Sequence, residues 1–349
     1  MTARGRGRIE RGAQRLRFVR WPGIAALLLV SLAACGFPPG EAFDPVSDRG
    51  SDISRLFVLS LALSLGVVFL IAALLFLIVI RFRDRGDKSQ ASGKTGDPRL
   101  EVAWTVAPFL LLLVLFTLTV RTMRSVQEAA EDPLHVRVTG NQWWWNFEYI
   151  DNGDVSSPNE LHLPVDQPVE FTISSSDVIH SFWVPRFGWK VDAIPGQERT
   201  MTLTPTDIGV YDGACAEFCG NQHAWMRMLV VVEPADDFEA WMQAQERGAV
   251  EPQTDQARGG QDVFLNGTCV SCHTIRGTDA DGTVGPDLTH VGSRENLGAG
   301  VLDNTHDQLK DWIRDARAIK PGILMPPYPV EQISEQDLES LTVYLEGLK

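Results

Sequence analysis

Two uncharged apolar runs constrain this chain more than any other feature. Residues 56–80 contain no charge, and residues 102–120 are apolar or weakly polar throughout. At about 1.5 Å per residue, each run is long enough to cross a bilayer. A transmembrane helix hairpin is expected within residues 50–125. Arg81, Arg83, Arg85, Lys88, Lys94 and Arg99 crowd the segment between the runs, whereas residues 36–55 hold only Arg49 and Arg55 against four acids. Basic residues stay on the cytoplasmic side, so this loop is expected inside and both flanks outside, although Arg121 and Arg124 pull mildly the other way. Everything from about Asp132 onward is then expected in an oxidising, exported compartment. Glu101 sits at the inner mouth of the second run. An acid there can serve as a helix-dipole partner or take part in proton traffic, and the residues alone leave both open.

The N-terminus agrees with export. Seven arginines and one glutamate within residues 4–20 precede a short apolar run that ends Leu32-Ala33-Ala34-Cys35. Residues 1–34 are read as a signal peptide of the kind that resembles bacterial lipoprotein signals, with Cys35 as the lipidated residue. An uncleaved anchor helix is the other reading. Cleavage leaves 24 Lys and Arg against 44 Asp and Glu, a balance of −20. That excess argues against nucleic-acid binding.

From residue 134 to about 232 the pattern changes to short alternating runs, LHVRV, WNFEYI, VEFTIS, HSFWV, RTMTLT and MRMLVVV, separated by turn formers. Strands at this spacing predict a β-sandwich or barrel. Its last loop, between a strand at 208–211 and MRMLVVV, holds Cys215-Ala-Glu217-Phe-Cys219-Gly-Asn-Gln-His223-Ala-Trp-Met226. A disulfide would leave His223 and Met226 unexplained, and methionine is a poor zinc ligand. Cysteine, histidine and a weak axial methionine in one sandwich loop, with a histidine from an earlier strand, suit copper. Here there are two cysteines, and two thiolates can bridge two copper ions. The earlier histidine is read as His180. Among Trp143, Trp144 and Trp145, alternation along a strand requires at least one to be exposed.

An amphipathic helix is expected after Glu233, with apolar residues at 238, 241 and 242. ERGAVEPQTD, residues 246–255, then reads as a flexible linker. Residues 256–349 form a third unit around Cys269-Val-Ser-Cys272-His273, the C-x-x-C-H attachment signature of c-type haem. Cys269 and Cys272 would form thioethers, and His273 would be the proximal iron ligand. Met325, in a Pro/Gly loop beyond a helix ending near Ala318, is the expected sixth ligand; His290 and His306 compete and look like surface residues. Ser334 is expected to cap a final amphipathic helix.

These motifs resemble two families. Residues 50–245 are similar to subunit II of haem–copper cytochrome c oxidase, and residues 256–349 resemble a class I cytochrome c, with Gly285-Pro286-Asp287-Leu288 as the loop supporting the proximal histidine. The resemblance implies a multidomain fold: a two-helix transmembrane hairpin, an all-β cupredoxin-like sandwich over residues 132–245, and an all-α cytochrome c domain. It implies a binuclear copper centre, CuA, held by His180, Cys215, Cys219, His223, Met226 and the Glu217 carbonyl. The Glu217 side chain would help hold magnesium at the contact with subunit I. Trp143 would be the point where electrons reach the copper, and Glu101 would lie at the mouth of a proton path. The implied function is that of a proton-translocating terminal oxidase subunit in a bacterial plasma membrane, with both C-terminal domains on the outer face. Electrons would come from a cytochrome bc complex or soluble cytochrome c and pass to haem a in subunit I for oxygen reduction; subunit III and membrane lipid are the other implied contacts. The rivals are a CuA subunit of a nitric oxide reductase, a quinol oxidase subunit II and a stand-alone membrane-anchored electron carrier; Cys215 and Cys219 argue against the quinol oxidase.

Overall fold

In the computed structural model, the described residues are 43–83, 93, 96–153 and 155–349. The signal segment, Cys35, Arg85, Lys88 and Lys94 lie outside them. The two apolar runs form α1 (Asp48–Arg81) and α2 (Pro98–Gln127), both longer than the runs themselves. The extra turns of α1 are polar because they dock on the sandwich. The Ser47 side chain caps the helix by accepting from the Gly50 amide, and its hydroxyl donates to the Phe187 carbonyl at 2.8 Å. A Cβ at Gly50 would lie 2.8 Å from that same carbonyl oxygen, so the approach needs glycine there. Arg49 donates to Ser125, which donates to Asp52 at 2.7 Å, joining the outer ends of the two helices. Along their length the apolar side chains are exposed. Both helices are long and apolar enough to cross a membrane.

Ten strands follow: β1 (Leu134–Asn141), β2 (Trp144–Tyr149), β3 (Val155–Ser156), β4 (Glu160–Pro164), β5 (Val169–Ser175), β6 (His180–Trp183), β7 (Val191–Ala193), β8 (Arg199–Leu203), β9 (Gly209–Cys215) and β10 (Arg227–Glu233). They make two five-stranded sheets, ordered β3-β2-β1-β5-β8 and β4-β10-β9-β6-β7. Alternation along each strand sends Val136, Val138, Trp145, Phe147, Phe171, Ile173, Phe182 and Val230 into one shared core. Helix α3 (Ala235–Gln245) closes one edge of the core with Phe238 and Met242.

Two sequence expectations are corrected here. The strand expected at 208–211 begins one residue later and runs on to Cys215, because Ala214 pairs with Arg227 and Cys215 with Phe182. Cys215 is therefore a strand residue, and only Cys219, His223 and Met226 lie beyond the strand end. Tyr-Asp-Gly-Ala-Cys has little apolar alternation, so the strand was visible only through its partners. The expected flexible coil at 246–255 is tied down instead. The Ala249 amide donates to the Arg276 carbonyl at 2.8 Å, Arg276 reaches back to the Gln245 carbonyl, and the side chain of Thr254 caps the next helix.

That helix, α4 (Asp255–Asn266), packs with α5 (His306–Ile319) and α6 (Glu335–Glu346) around a second, smaller core that includes Phe264, Ile313, Leu338, Leu341 and Tyr344. α4 and α6 cross so closely that a Cβ at Gly260 would sit 2.0 Å from the Ser340 carbonyl oxygen. Ser334 caps α6 by accepting from the Asp337 amide, as its position in the sequence predicts.

Candidate metal and haem sites

Two strand ends and one loop build the first site. β9 delivers Cys215 beside β6, whose first residue is His180. The Cys215 amide donates to the Met226 carbonyl at 2.9 Å, folding the loop back on itself. A short 3-10 turn, His223–Trp225, then aims His223 inward. Cys215 Sγ lies 3.8 Å from Cys219 Sγ, 3.8 Å from His180 Nδ1 and 3.1 Å from the Glu217 carbonyl oxygen. Cys219 Sγ lies 3.7 Å from His223 Nδ1 and 3.8 Å from Met226 Sδ. All six donors singled out in the sequence thus converge on one cluster. Both cysteines are free thiols, far from the ~2.05 Å of a disulfide bond.

The electrostatics favour one thiolate. Hydrogen bonding from Cys219 and His180 pulls the Cys215 thiol down against its burial, while sharing that proton pushes Cys219 up. Burial would depress His180, but hydrogen bonds to Cys215 and Asp177 outweigh it and the imidazole pKa is raised.

Sequence reasoning missed the residues that hold these donors. Asp177 Oδ1 meets His180 Nε2 at 2.8 Å, which leaves Nδ1 turned to the sulfur; a metal-binding histidine is commonly oriented through its other ring nitrogen by a carboxylate, a carbonyl or water. Gly140 makes room for the same ring, since a Cβ there would be 2.8 Å from His180 Cδ2. Gln142 Nε2 and Trp143 Nε1 both donate to the Cys219 carbonyl, at 2.7 and 3.0 Å. A Gly in β1 and an Asp three residues before a His are common in sandwiches, so nothing in the string marks them. The donor set is soft sulfur, imidazole, thioether and carbonyl, which fits copper and suits zinc poorly.

Trp143 and Trp145 are both buried and Trp144 is half-exposed, so Trp143 does not open to solvent. It is covered by the third unit. Ile323 packs against the sandwich core, and a Cβ at Gly322 would lie 3.5 Å from Trp143 Cη2. The Glu217 carboxylate points outward, 3.9 Å from Lys190 Nζ. Glu101 lies exposed in the first turn of α2.

In the third unit His273 Nδ1 is 2.8 Å from the Pro286 carbonyl. A carbonyl only accepts, so Nδ1 carries the proton and Nε2 keeps its lone pair for a metal. Burial lowers the His273 pKa, which keeps the ring neutral. A Cβ at Gly285 would lie 2.6 Å from His273 Cε1, so the loop 285–288 grips the ring as expected. Cys269 and Met325 pack half-buried against the same core. These residues fit a haem held through the Cys-x-x-Cys-His segment. His290 is not a surface residue, as its sequence context suggested. It is buried, with Nε2 on the Arg247 carbonyl at 3.1 Å, and helps pin the linker. His306 opens α5 and is held by Glu346 and Glu339.

A thiol-rich donor cluster in a β-sandwich, roofed by a helical unit with a Cys-x-x-Cys-His segment and preceded by two long apolar helices, marks a class of protein with two candidate cofactor sites.

Comparison with known proteins narrows this class. Residues 44–121 match the family profile "Cytochrome C oxidase subunit II, transmembrane domain", residues 155–233 match "Cytochrome C oxidase subunit II, periplasmic domain", and residues 257–349 match "Cytochrome c". Cytochrome c oxidase subunit 2 of Alkalihalophilus pseudofirmus is 35% identical over 88% of this chain and 90% of its own length. The Bacillus subtilis protein of the same name is 33% identical over 93% of this chain and 96% of its own length. The solved periplasmic domain of the Bradyrhizobium japonicum oxidase subunit II (CoxB) is 30% identical over 34% of this chain and 97% of that chain, with a TM-score of 0.33. The chain belongs to the cytochrome c oxidase subunit II family, in the form that ends in a cytochrome c domain. It is part of an oxidoreductase and a partner of oxidase subunit I; its family implies CuA copper and its last domain implies haem.

Proposed function

We propose that this subunit takes electrons from a cytochrome bc complex or soluble cytochrome c at a covalent haem c, passes them by way of Trp143 to CuA, and delivers them to haem a in subunit I. There, oxygen reduction to water is coupled to proton translocation. Copper and haem, when bound, supply one-electron redox chemistry at these two places. The observation that carries the reading is the seat of Trp143: its indole N–H is bonded to the carbonyl of Cys219, and its ring lies under the Pro321–Ile323 loop that leads to Met325.

The chain's own residues have distinct tasks. His180, Cys215, Cys219, His223, Met226 and the Glu217 carbonyl hold the copper pair, with Asp177 fixing the His180 ring. Cys269 and Cys272 tether the haem, and His273 and Met325 bind its iron; His/Met ligation raises a haem potential, as suits a respiratory donor. Met325 leads Pro326 in a rigid loop, so the sixth ligand and the cover over Trp143 are one segment. α1 and α2 span the plasma membrane, with both globular units on the outer face. Cys35 adds a lipid anchor, Glu217 shares a magnesium ion at the subunit I contact, and Glu101 lies at a proton-path mouth; subunit III completes the assembly.

Affinity purification of the chain should bring down a large multispan haem subunit, and an anaerobic redox titration should find one low-spin c haem and a mixed-valence copper pair. Purification without that partner, with both spectra intact, would favour a stand-alone carrier. Trp143→Phe should slow copper reduction by the haem without altering either spectrum; an unchanged rate removes Trp143 from the route.

A further inference from the structure

Lys320 precedes the Pro321–Met325 loop and is only 2% exposed. Lysine is rarely buried so fully unless its charge is met. Its ammonium has three donors, and all three are used: Nζ lies 2.9 Å from the Trp143 carbonyl, 2.9 Å from the Trp225 carbonyl and 2.7 Å from the Gly298 carbonyl. The first two belong to the sandwich, one at Trp143 itself and one in the copper loop beside Met226. The third belongs to the cytochrome unit. Among the described residues no carboxylate forms a salt bridge with it, so its role is geometric: one side chain joins both units through backbone that cannot be changed by substitution.

Its neighbours work in the same direction. Gln222 Nε2 donates to the Pro321 carbonyl at 2.6 Å, and the Arg227 amide donates to the Ala299 carbonyl at 3.3 Å. Glu160 of β4 accepts from the Glu295 amide at 2.6 Å across the same seam. Together these contacts press Gly322 and Ile323 onto the face of the sandwich where Trp143 lies.

We propose that Lys320 is the latch that seats the cytochrome unit on Trp143, giving haem-borne electrons one fixed route to the copper loop and closing that face to outside protein donors. Lys320 is a positioning residue: it touches neither centre, and it acts by holding the Pro321–Met325 loop in register with Trp143. Each event moves one electron from the haem side to the copper side, with no bond made or broken. The inference rests on the haem-to-copper transfer proposed above. Without the latch, the linker still keeps the unit close, but docking becomes an encounter between two charged surfaces and is screened by salt.

The test uses the whole oxidase complex carrying Lys320→Met. Transfer from haem to copper is timed after flash photoreduction of the haem by a ruthenium photoreductant. The expected result is a slowing of roughly tenfold or more together with a new dependence on ionic strength, because a fixed contact has become a tethered encounter. The optical spectra and midpoint potentials of both centres should not move. An unchanged, salt-independent rate overturns the latch. Trp143→Phe separates the two claims. If Trp143→Phe slows transfer and Lys320→Met does not, the latch falls and the route stands. If only Lys320→Met slows it, the latch stands and the Trp143 route falls. A third measurement needs no variant: amine acylation of the native complex, read by peptide mass spectrometry. Lys190, whose side chain is 49% exposed, is the reference. Lys320 should label at least about tenfold more slowly, since labelling requires the latch to open; labelling as fast as Lys190 overturns the proposal even if Lys320→Met fails to assemble.

Discussion

The copper loop and the haem loop meet at one seam, yet the two regions are held up in different ways. The copper donors hang from strand ends of a closed sandwich. β6 and β9 are paired through Phe182 and Cys215, while Gly140 arrives from β1 and Gln142 and Asp177 from the turns that follow β1 and β5. A large aromatic core lies directly beneath them. The haem loop belongs to three helices of 12, 14 and 12 residues around a much smaller core. Helices of that length are marginal in isolation. A metal site can be pre-assembled by long-range strand pairing, whereas a small helical unit depends on what fills it.

The sharpest way to break this comparison is to remove the tether for haem. Cys269→Ser combined with Cys272→Ser should abolish the haem spectrum and leave residues 256–349 open to protease, while the sandwich stays folded with its copper absorption. Limited proteolysis beside an optical spectrum reads both halves. Persistent protection of the helical unit would mean that its own core suffices. A smaller effect should come from Gly260→Ala, whose new methyl group meets the Ser340 carbonyl oxygen at 2.0 Å. It should cost the helical unit about 3 kcal/mol by overpacking. Gly259→Ala, with nothing within 4 Å, is the control and should be neutral or stabilise the helix by up to about 1 kcal/mol. Denaturation followed at the haem distinguishes them.

On the copper side, Asp177→Asn keeps the shape but removes the charge that orients His180. Copper affinity should fall about tenfold, roughly 1.4 kcal/mol, with the melting of the sandwich little changed. Competition with a copper chelator measures it. The smallest effect concerns pH. Hydrogen bonds to Glu346 and then Glu339 raise the His306 pKa. A raised histidine contributes stability that is complete below its unfolded value near 6.5 and fades as pH climbs through the folded value. His306 is partly exposed, so screening holds the effect below about 1 kcal/mol. Denaturant midpoints of the helical unit should therefore drop slightly on the alkaline side, and His306→Gln should flatten that slope.

Most of the proposed ligand set was legible in the string because its chemistry is local. Cys215, Cys219, His223 and Met226 lie within twelve residues, and Cys269, Cys272 and His273 within five; spacing that short limits what the side chains can reach. The apolar runs and the Ser334 cap are local as well. His180 could be suspected only because the copper loop asked for a second imidazole. Asp177, Gly140, Lys320 and His290 were not legible, and neither was the pinned linker, whose polar composition looks like coil. Asp177 is close to His180 in sequence but is an ordinary turn residue; for the others the partners lie tens to more than a hundred residues away, as Lys320 does from Trp143 and His290 from Arg247.

Residue spacing thus pointed to the kinds of centre this chain is suited to hold and gave the order in which its units follow one another. Tertiary structure decided which side chains aim the donors and how the two units face each other. The physical reason is range. A ligand motif is a short-range pattern that survives in one dimension, whereas a buried ammonium finds its three carbonyls only when the sheets and helices have closed around it.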